Sequence, residues 1–220
     1  MIAIRQNPAL PLVVGALIAL GACTSPAPSG LKTDYDAARD ALEAGDTTNA
    51  ITRYERLIAE YGSSDYGVTF AIEYAHALRQ AGQPDRAIAI ARQAEARAHG
   101  PQLGRARMIA ALAAADLADA AVSTGAPRSE ADAAIRSAFQ ALGETVRQHP
   151  EADPQGVMLV RMRTLREDMA VLELDALNET RQAGNTARAQ AHARYILDNY
   201  GDTDAVLAAH QSLKTAIEVY

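Results

Sequence analysis

The sequence predicts an all-α protein in which helix pairs stack into a solenoid. Of its 220 residues, 49% are hydrophobic, only 5% are aromatic and none is Trp. Alanine is abundant and β-branched runs are rare, which favours closely packed helices over a sandwich or barrel. The dipeptide Ala-Gly recurs with a further Ala at constant spacing, and such internal repetition is typical of solenoids. The net charge of -6 gives no overall electrostatic attraction to nucleic acid.

Residues 1–22 have the organisation of a signal peptide. Arg5 precedes an apolar stretch over 9–20, and about 12 residues are too few to span roughly 30 Å of hydrocarbon as a helix. The stretch ends in Leu20-Gly21-Ala22-Cys23, which contains the only cysteine of the chain. The alternatives are an ordinary secretory signal followed by a chance cysteine, or a cysteine buried in the core.

The segment ending at Cys23 resembles the lipobox of bacterial lipoprotein signal peptides. The resemblance implies cleavage before Cys23, a diacylglycerol on its sulfur and a fatty acid on its new amino terminus. Because Thr24 and not Asp follows the cysteine, the resemblance implies sorting to the outer membrane, with the protein on its periplasmic face. Residues 23–33 are then the lipidated cysteine and a flexible tether rich in Pro, Ser and Gly, and residues 34–220 form the folded domain.

Each copy of the Ala-Gly motif predicts the turn of one helix pair. The three copies read LEAGDTTNAI, RQAGQPDRAI and RQAGNTARAQ. The glycines are expected to end a first helix in a left-handed conformation, and the polar residues and proline that follow are expected to start a second helix. The alanine after each turn is expected to allow close approach where the helices cross. These residues are Gly45, Gly82 and Gly184 at the turns, and Ala50, Ala87 and Ala189 at the crossings.

The helix pairs resemble tetratricopeptide repeats, which are helix-turn-helix units of about 34 residues. The turn glycines and crossing alanines match this pattern, as do Ala38, Ala75 and Tyr54. The match is incomplete, because Ala91 and Ala193 stand where an aromatic residue is common. The resemblance implies a right-handed superhelical array of about four pairs and a terminal helix.

The rest of the chain predicts further helices without the motif. An alanine-rich segment predicts a helix over 103–124, and Ser129 is expected to be the N-cap of a helix over 130–148. These two helices are interpreted as a divergent pair. A long helix is expected over 153–183, and a C-terminal capping helix over 203–219 closes the array.

No pattern in the sequence indicates catalysis, a metal or a cofactor. The glycines are dispersed at helix ends and form no phosphate-binding loop. The five histidines never stand four residues apart, and a single cysteine forms neither an internal disulfide nor a metal cluster. We therefore expect a protein that is not an enzyme.

Binding is the favoured activity, and the repeat resemblance indicates where it would occur. In this family the first helix of each pair lines a concave groove. For the polar members of that surface, the alternative is an ordinary surface residue, and for His76 it is a half-buried helix histidine. Transferring the register residue by residue gives the predicted groove: Arg39, Ile72, His76, Arg79, Gln80, Asn178 and Arg181.

The sequence as a whole predicts a lipid-anchored scaffold that binds other envelope proteins or peptides. Two groups of repeat lipoproteins are similar at this level. One assists assembly of pili, secretins or secretion systems, and the prediction favours it; the other belongs to the outer-membrane barrel-assembly machine. The alternatives are an accessory protein of peptidoglycan synthesis or cell division, and a periplasmic module for small ligands or peptides. The oligomeric state is left open.

Overall fold

The computed structural model describes residues 29–217, and within this range it is all-α, as predicted. It contains nine α-helices, one 3-10 helix at Pro150–Ala152 and no strand in that range. Residues 1–28, which include the predicted signal peptide and Cys23, lie outside the described residues. The helices are α1 (Ser29–Glu43), α2 (Thr47–Tyr61), α3 (Gly67–Gln80), α4 (Pro84–Glu95), α5 (Pro101–Ser123), α6 (Arg128–Gln148), α7 (Val157–Gln182), α8 (Thr186–Asn199) and α9 (Ala205–Ile217).

The helices form four consecutive pairs followed by α9. Each helix packs on the next one along the chain, and the short connections make neighbouring helices antiparallel. The first helices of successive pairs also meet, since α3 packs on α5 and α5 packs on α7. This is the pairwise arrangement that the repeat resemblance implied, and its right-handed sense stays a prediction.

The three motif turns have the predicted backbone. Gly45, Gly82 and Gly184 have φ values of 76°, 69° and 72°, a left-handed conformation that only glycine adopts without strain. The side chains of Asp46 and Asn185 each accept a 3.1 Å hydrogen bond from a backbone N–H of the helix that follows. The turns are therefore fixed by local chemistry.

The crossing alanines are buried, as predicted. Ala50, Ala87 and Ala189 all lie in the protein interior, where a larger side chain would separate the helices. A further close approach, in addition to the three alanine crossings, lies between α5 and the loop before α7. A Cβ atom on Gly104 would lie 2.9 Å from the Cβ of His149, so glycine is needed there.

The predicted start of the folded domain at residue 34 is too late. Helix α1 already begins at Ser29, directly after Pro28, and Leu31 is buried. Leu31, Tyr35 and Ala38 stand four and three residues apart, which places them on one apolar face of the helix. Residues 29–33 therefore belong to the domain and not to the tether.

Two other predicted helix starts are also corrected. Helix α6 begins at Arg128 with Pro127 as its N-cap, so Ser129 lies within the first turn. Helix α7 begins at Val157 and not at residue 153, because Gly156 adopts a φ of 72°. The Asp153 carboxylate then caps the helix from outside, accepting hydrogen bonds of 2.8 and 2.6 Å from its first two N–H groups.

None of the helices between residues 29 and 217 has the length and apolar character needed to cross a bilayer.

Candidate binding cleft

A cleft of about 270 Å³ crosses the first helices of three consecutive pairs. Apolar side chains and charged or amide groups both line it. The predicted residues Arg39, Ile72, His76 and Gln80 all contribute to this one surface. Its lining is Arg39, Leu42 and Glu43 from α1, Ile72, Glu73, His76 and Gln80 from α3, and Arg105, Met108 and Ile109 from α5.

Glu73 organises one side of the cleft. Its two carboxylate oxygens accept hydrogen bonds from the Oη of Tyr35 at 2.8 Å and of Tyr54 at 2.7 Å. Burial, reinforced by this carboxylate, raises the pKa of Tyr35 to about 12 and also raises the pKa of Tyr54. Both hydroxyls therefore stay protonated donors at neutral pH, and they hold the carboxylate across α1, α2 and α3.

The exposed cations of the cleft are Arg39 and Arg105. Arg39 donates a 3.1 Å hydrogen bond to Glu43 four residues later, and the negative charge of Glu73 raises the pKa of Arg39. An exposed ion pair of this kind contributes little to the free energy of folding, so Arg39 can exchange Glu43 for an acceptor on a ligand. These two guanidinium groups can therefore bind a carboxylate or backbone carbonyls of a ligand.

His76 is half-buried and carries an unsatisfied hydrogen-bonding group. Its Nε2 lies 2.9 Å from the amide nitrogen of Gln80, which is only a donor, so the imidazole proton belongs on Nδ1. Nδ1 is buried and has no hydrogen-bond partner. Burial, and secondarily the charge of Arg79, lowers the pKa of His76. The cleft therefore contains a neutral imidazole with one unpaired donor.

The other three predicted groove residues do not line this cleft. Arg79 forms a 3.1 Å ion pair with Asp116 of α5, and its side chain is only 23% exposed. Its structural contact ties α3 to α5. Asn178 and Arg181 lie near the end of α7 and share a 3.2 Å hydrogen bond. Because α7 packs on α5, α6, α8 and α9, they lie on a different part of the array, and a role for them in binding stays a prediction.

Glu73, Arg105 and Met108 are among the lining residues that were not predicted from the sequence. Glu73 is the only charged residue between Gly67 and Leu78, and an isolated acid in an apolar helix is a signal that could have identified it. Arg105 and Met108 lie on α5, whose pair lacks the Ala-Gly motif. Without that motif, the register could not be carried into the third pair.

No metal-binding group is found in the described part of the chain. No three His, Cys, Asp or Glu side chains of that part converge on a point where they could hold a metal ion. The arrangement of the cleft supports reversible binding through hydrogen bonds, ion pairs and apolar contact.

Comparison with known proteins identifies the kind of molecule that carries this cleft. Residues 30–220 match the family YfiO, described as outer membrane lipoprotein. No curated protein matches the chain. The family confirms the predicted lipid-anchored location at the outer membrane. It also confirms the resemblance to repeat lipoproteins. Because the match covers nearly all of the chain, the protein belongs to the YfiO family of outer membrane lipoproteins.

Proposed function

We propose that this protein is an assembly scaffold at the periplasmic face of the outer membrane, and that the α1–α3–α5 cleft binds a segment of another envelope protein. The observation that carries the proposal is the convergence of three first helices on one surface that offers both donors and apolar contact. Membership of an outer membrane lipoprotein family supports a role in the envelope. We do not propose a catalytic reaction for it.

The lining defines the chemistry of the segment that would fit. Ile72, Met108 and Ile109 supply apolar contact for a side chain of the partner. Arg39 and Arg105 supply donors for a carboxylate or for backbone carbonyls. Glu73 is already occupied by two tyrosine hydroxyls. The cleft therefore suits a peptide or loop with an apolar residue beside acidic groups or free carbonyls.

Of the two similar groups of repeat lipoproteins, the barrel-assembly group now has the stronger support. The prediction from sequence favoured the group that assists pili and secretion systems. The family match supports the barrel-assembly group instead. No observation on the described residues specifically favours a role in peptidoglycan synthesis or cell division.

A photo-crosslinking amino acid at Gln80 tests the proposal in cells. Gln80 is exposed at the cleft, whereas Gln93, the matched control, is exposed on α4 outside it. We expect an adduct with a specific envelope protein from position 80 and none from position 93, identified by mass spectrometry.

The strength of the contact is tested by Arg39→Ala combined with Arg105→Ala. We expect capture of the crosslinked partner to fall at least about tenfold, since a charged contact buried on binding is worth roughly 2 kcal/mol. The control is Arg56→Ala with Arg92→Ala, two exposed arginines on α2 and α4. Equal loss in both double variants, with unchanged melting temperatures, would place binding on the second-helix face and contradict the proposal.

A further inference from the structure

Four large hydrophobic side chains are exposed near the starts of two first helices. Tyr66, directly before α3, is 48% exposed. Val157, Leu159 and Val160 lie in the first turn of α7 and are 46%, 57% and 64% exposed. Single exposed apolar residues are common, but clustered ones mark a contact surface. Val157, Leu159 and Val160 form such a cluster within one helical turn, and none of the four residues lines the α1–α3–α5 cleft.

The N-terminal ends of α1, α3, α5 and α7 form one edge of the array, which we name the anchor edge. Alternation of helix direction places these four ends on the same side. The rings of Tyr35 and Phe70 join α1 to α3 with centroids 5.3 Å apart, and Gln102 of α5 donates a 3.0 Å hydrogen bond to an α3 threonine. Gly104 of α5 abuts His149 in the loop before α7. The four ends are thus joined by direct contacts.

The point of attachment places the anchor edge near the membrane. Ser29, the first residue of α1, stands six positions after Cys23, and six residues extend at most about 20 Å. Helix α1 has 15 residues and is itself about 22 Å long. A lipid on Cys23 therefore lets the anchor edge reach the bilayer easily, whereas the opposite edge lies about 22 Å from Ser29, farther than the tether extends.

We propose that the anchor edge lies against the lipid surface and that Tyr66, Val157, Leu159 and Val160 enter its interfacial region. Tyrosine is enriched at that depth because its ring is apolar and its hydroxyl is polar. The opposite edge carries the Ala-Gly turns, whose following residues are polar helix caps. This contact does not depend on what occupies the cleft.

The charges of the anchor edge indicate that the contact is apolar in origin. Lys32 and Arg97 lie at this edge, but so do Asp65 and Glu151, and all four are exposed. Electrostatic attraction to anionic lipid would weaken with salt, whereas insertion of apolar side chains would not. We therefore expect the contact to persist at high salt.

The experiment uses the full lipidated protein in vesicles of phosphatidylethanolamine and phosphatidylglycerol. A single added cysteine carries an environment-sensitive fluorophore, because acylation blocks the sulfur of Cys23. Val160→Cys reports on the anchor edge. Val122→Cys is the matched control, since Val122 is 43% exposed near the end of α5 at the opposite edge. Lipids with a nitroxide near the headgroup quench any fluorophore that enters the interface.

We expect quenching at position 160 to exceed that at position 122 by at least about threefold, because an interfacial group sits only about 5–10 Å deep in the bilayer. Adding Leu159→Asp should reduce quenching at position 160 while leaving the helical signal unchanged. Equal quenching at both positions, or loss of the difference at high salt, would overturn the proposal. If the exposed residues bind another protein and not lipid, quenching should also be equal at both positions, because the vesicles contain no other protein.

Discussion

The two halves of the array reach stability by different routes. Helices α1 to α4 have 12 to 15 residues, whereas α5, α6 and α7 have 23, 21 and 26. The core of the first half contains the rings of Tyr54, Phe70 and Tyr74. The core of the second half is mainly aliphatic, with Leu142 and Leu165 among its fully buried side chains. Short helices have few contacts each, so large rings supply much of their buried area.

The aromatic core also joins helices of adjacent pairs, because α2 belongs to the first pair and α3 to the second. A buried tyrosine hydroxyl needs a partner, and each one here finds it on another helix. Tyr54 donates to Glu73 at 2.7 Å, and Tyr74 donates to Glu55 at 2.6 Å. The core of the second half contains one buried tyrosine, Tyr200. The helices of this half are also joined by Arg161, which is partly buried and donates a 2.9 Å hydrogen bond to the Ala115 carbonyl. The core of the first half therefore contains more tyrosine hydroxyls that need partners on another helix, and the core of the second half is more aliphatic.

The largest effect that would sharpen this contrast is expected from Tyr54→Ala. Removing a fully buried ring costs about 3–5 kcal/mol, and here it also deprives Glu73 of a donor. The control is Tyr195→Ala on α8, whose side chain is 39% exposed, so we expect a loss below about 1 kcal/mol. Urea unfolding followed by circular dichroism measures both. Similar losses in the two variants would show that the first half does not depend on its rings.

The turns and crossings could be predicted from the sequence because their requirements are local. A left-handed residue at Gly82 and a small residue at Ala87 are steric demands, and they recur at fixed spacing in each copy. The start of α7 was misjudged because Gly156 turns left-handed between Asp153 and the helix it caps. Nothing in the pattern distinguishes that outside cap from a helix beginning at Asp153.

The cleft was predicted only in part because its chemistry depends on long-range packing. Glu73 acquires its role from Tyr35, which is 38 residues away in sequence. Arg79 was predicted to face a ligand but is paired with Asp116, 37 residues away. A register identifies the face of a helix on which a residue lies. It does not show whether that residue already forms an ion pair or hydrogen bond with another helix, as Arg79 does with Asp116.

Replacing a glycine by alanine is expected to change the free energy of unfolding by a smaller amount, with opposite signs in the two halves. Gly82→Ala has open space around it but a φ of 69°, so we expect destabilisation of about 1–2 kcal/mol from the backbone alone. Gly143→Ala lies inside α6, where a new Cβ would meet only the ends of two flexible side chains, Met162 at 3.4 Å and Arg147 at 3.8 Å. We expect this change to stabilise by about 0.5–1 kcal/mol. Melting temperatures of the two variants measure the difference, and a shared sign would contradict the assignment of Gly82 as a left-handed cap.

The smallest expected effect is a pH dependence of stability that arises in the first half, at His76. His76 is held neutral mainly by burial, with Arg79 and Arg105 also lowering its pKa and Glu73 opposing them. In the unfolded chain the same imidazole binds a proton near its ordinary pKa of 6.5. Below that pH the unfolded state binds more protons than the folded state, so stability falls as the pH falls, and above it His76 contributes no slope.

His76→Gln should therefore reduce the loss of stability on acidification, by less than about 1.4 kcal/mol per pH unit, which is the limit for one proton. The measurement is the free energy of urea unfolding above and below pH 6.5 in both proteins. Carboxylates elsewhere in the chain titrate equally in the two proteins, so their contribution cancels in the comparison. Equal slopes would mean that the imidazole is protonated as readily in the folded cleft as in the unfolded chain.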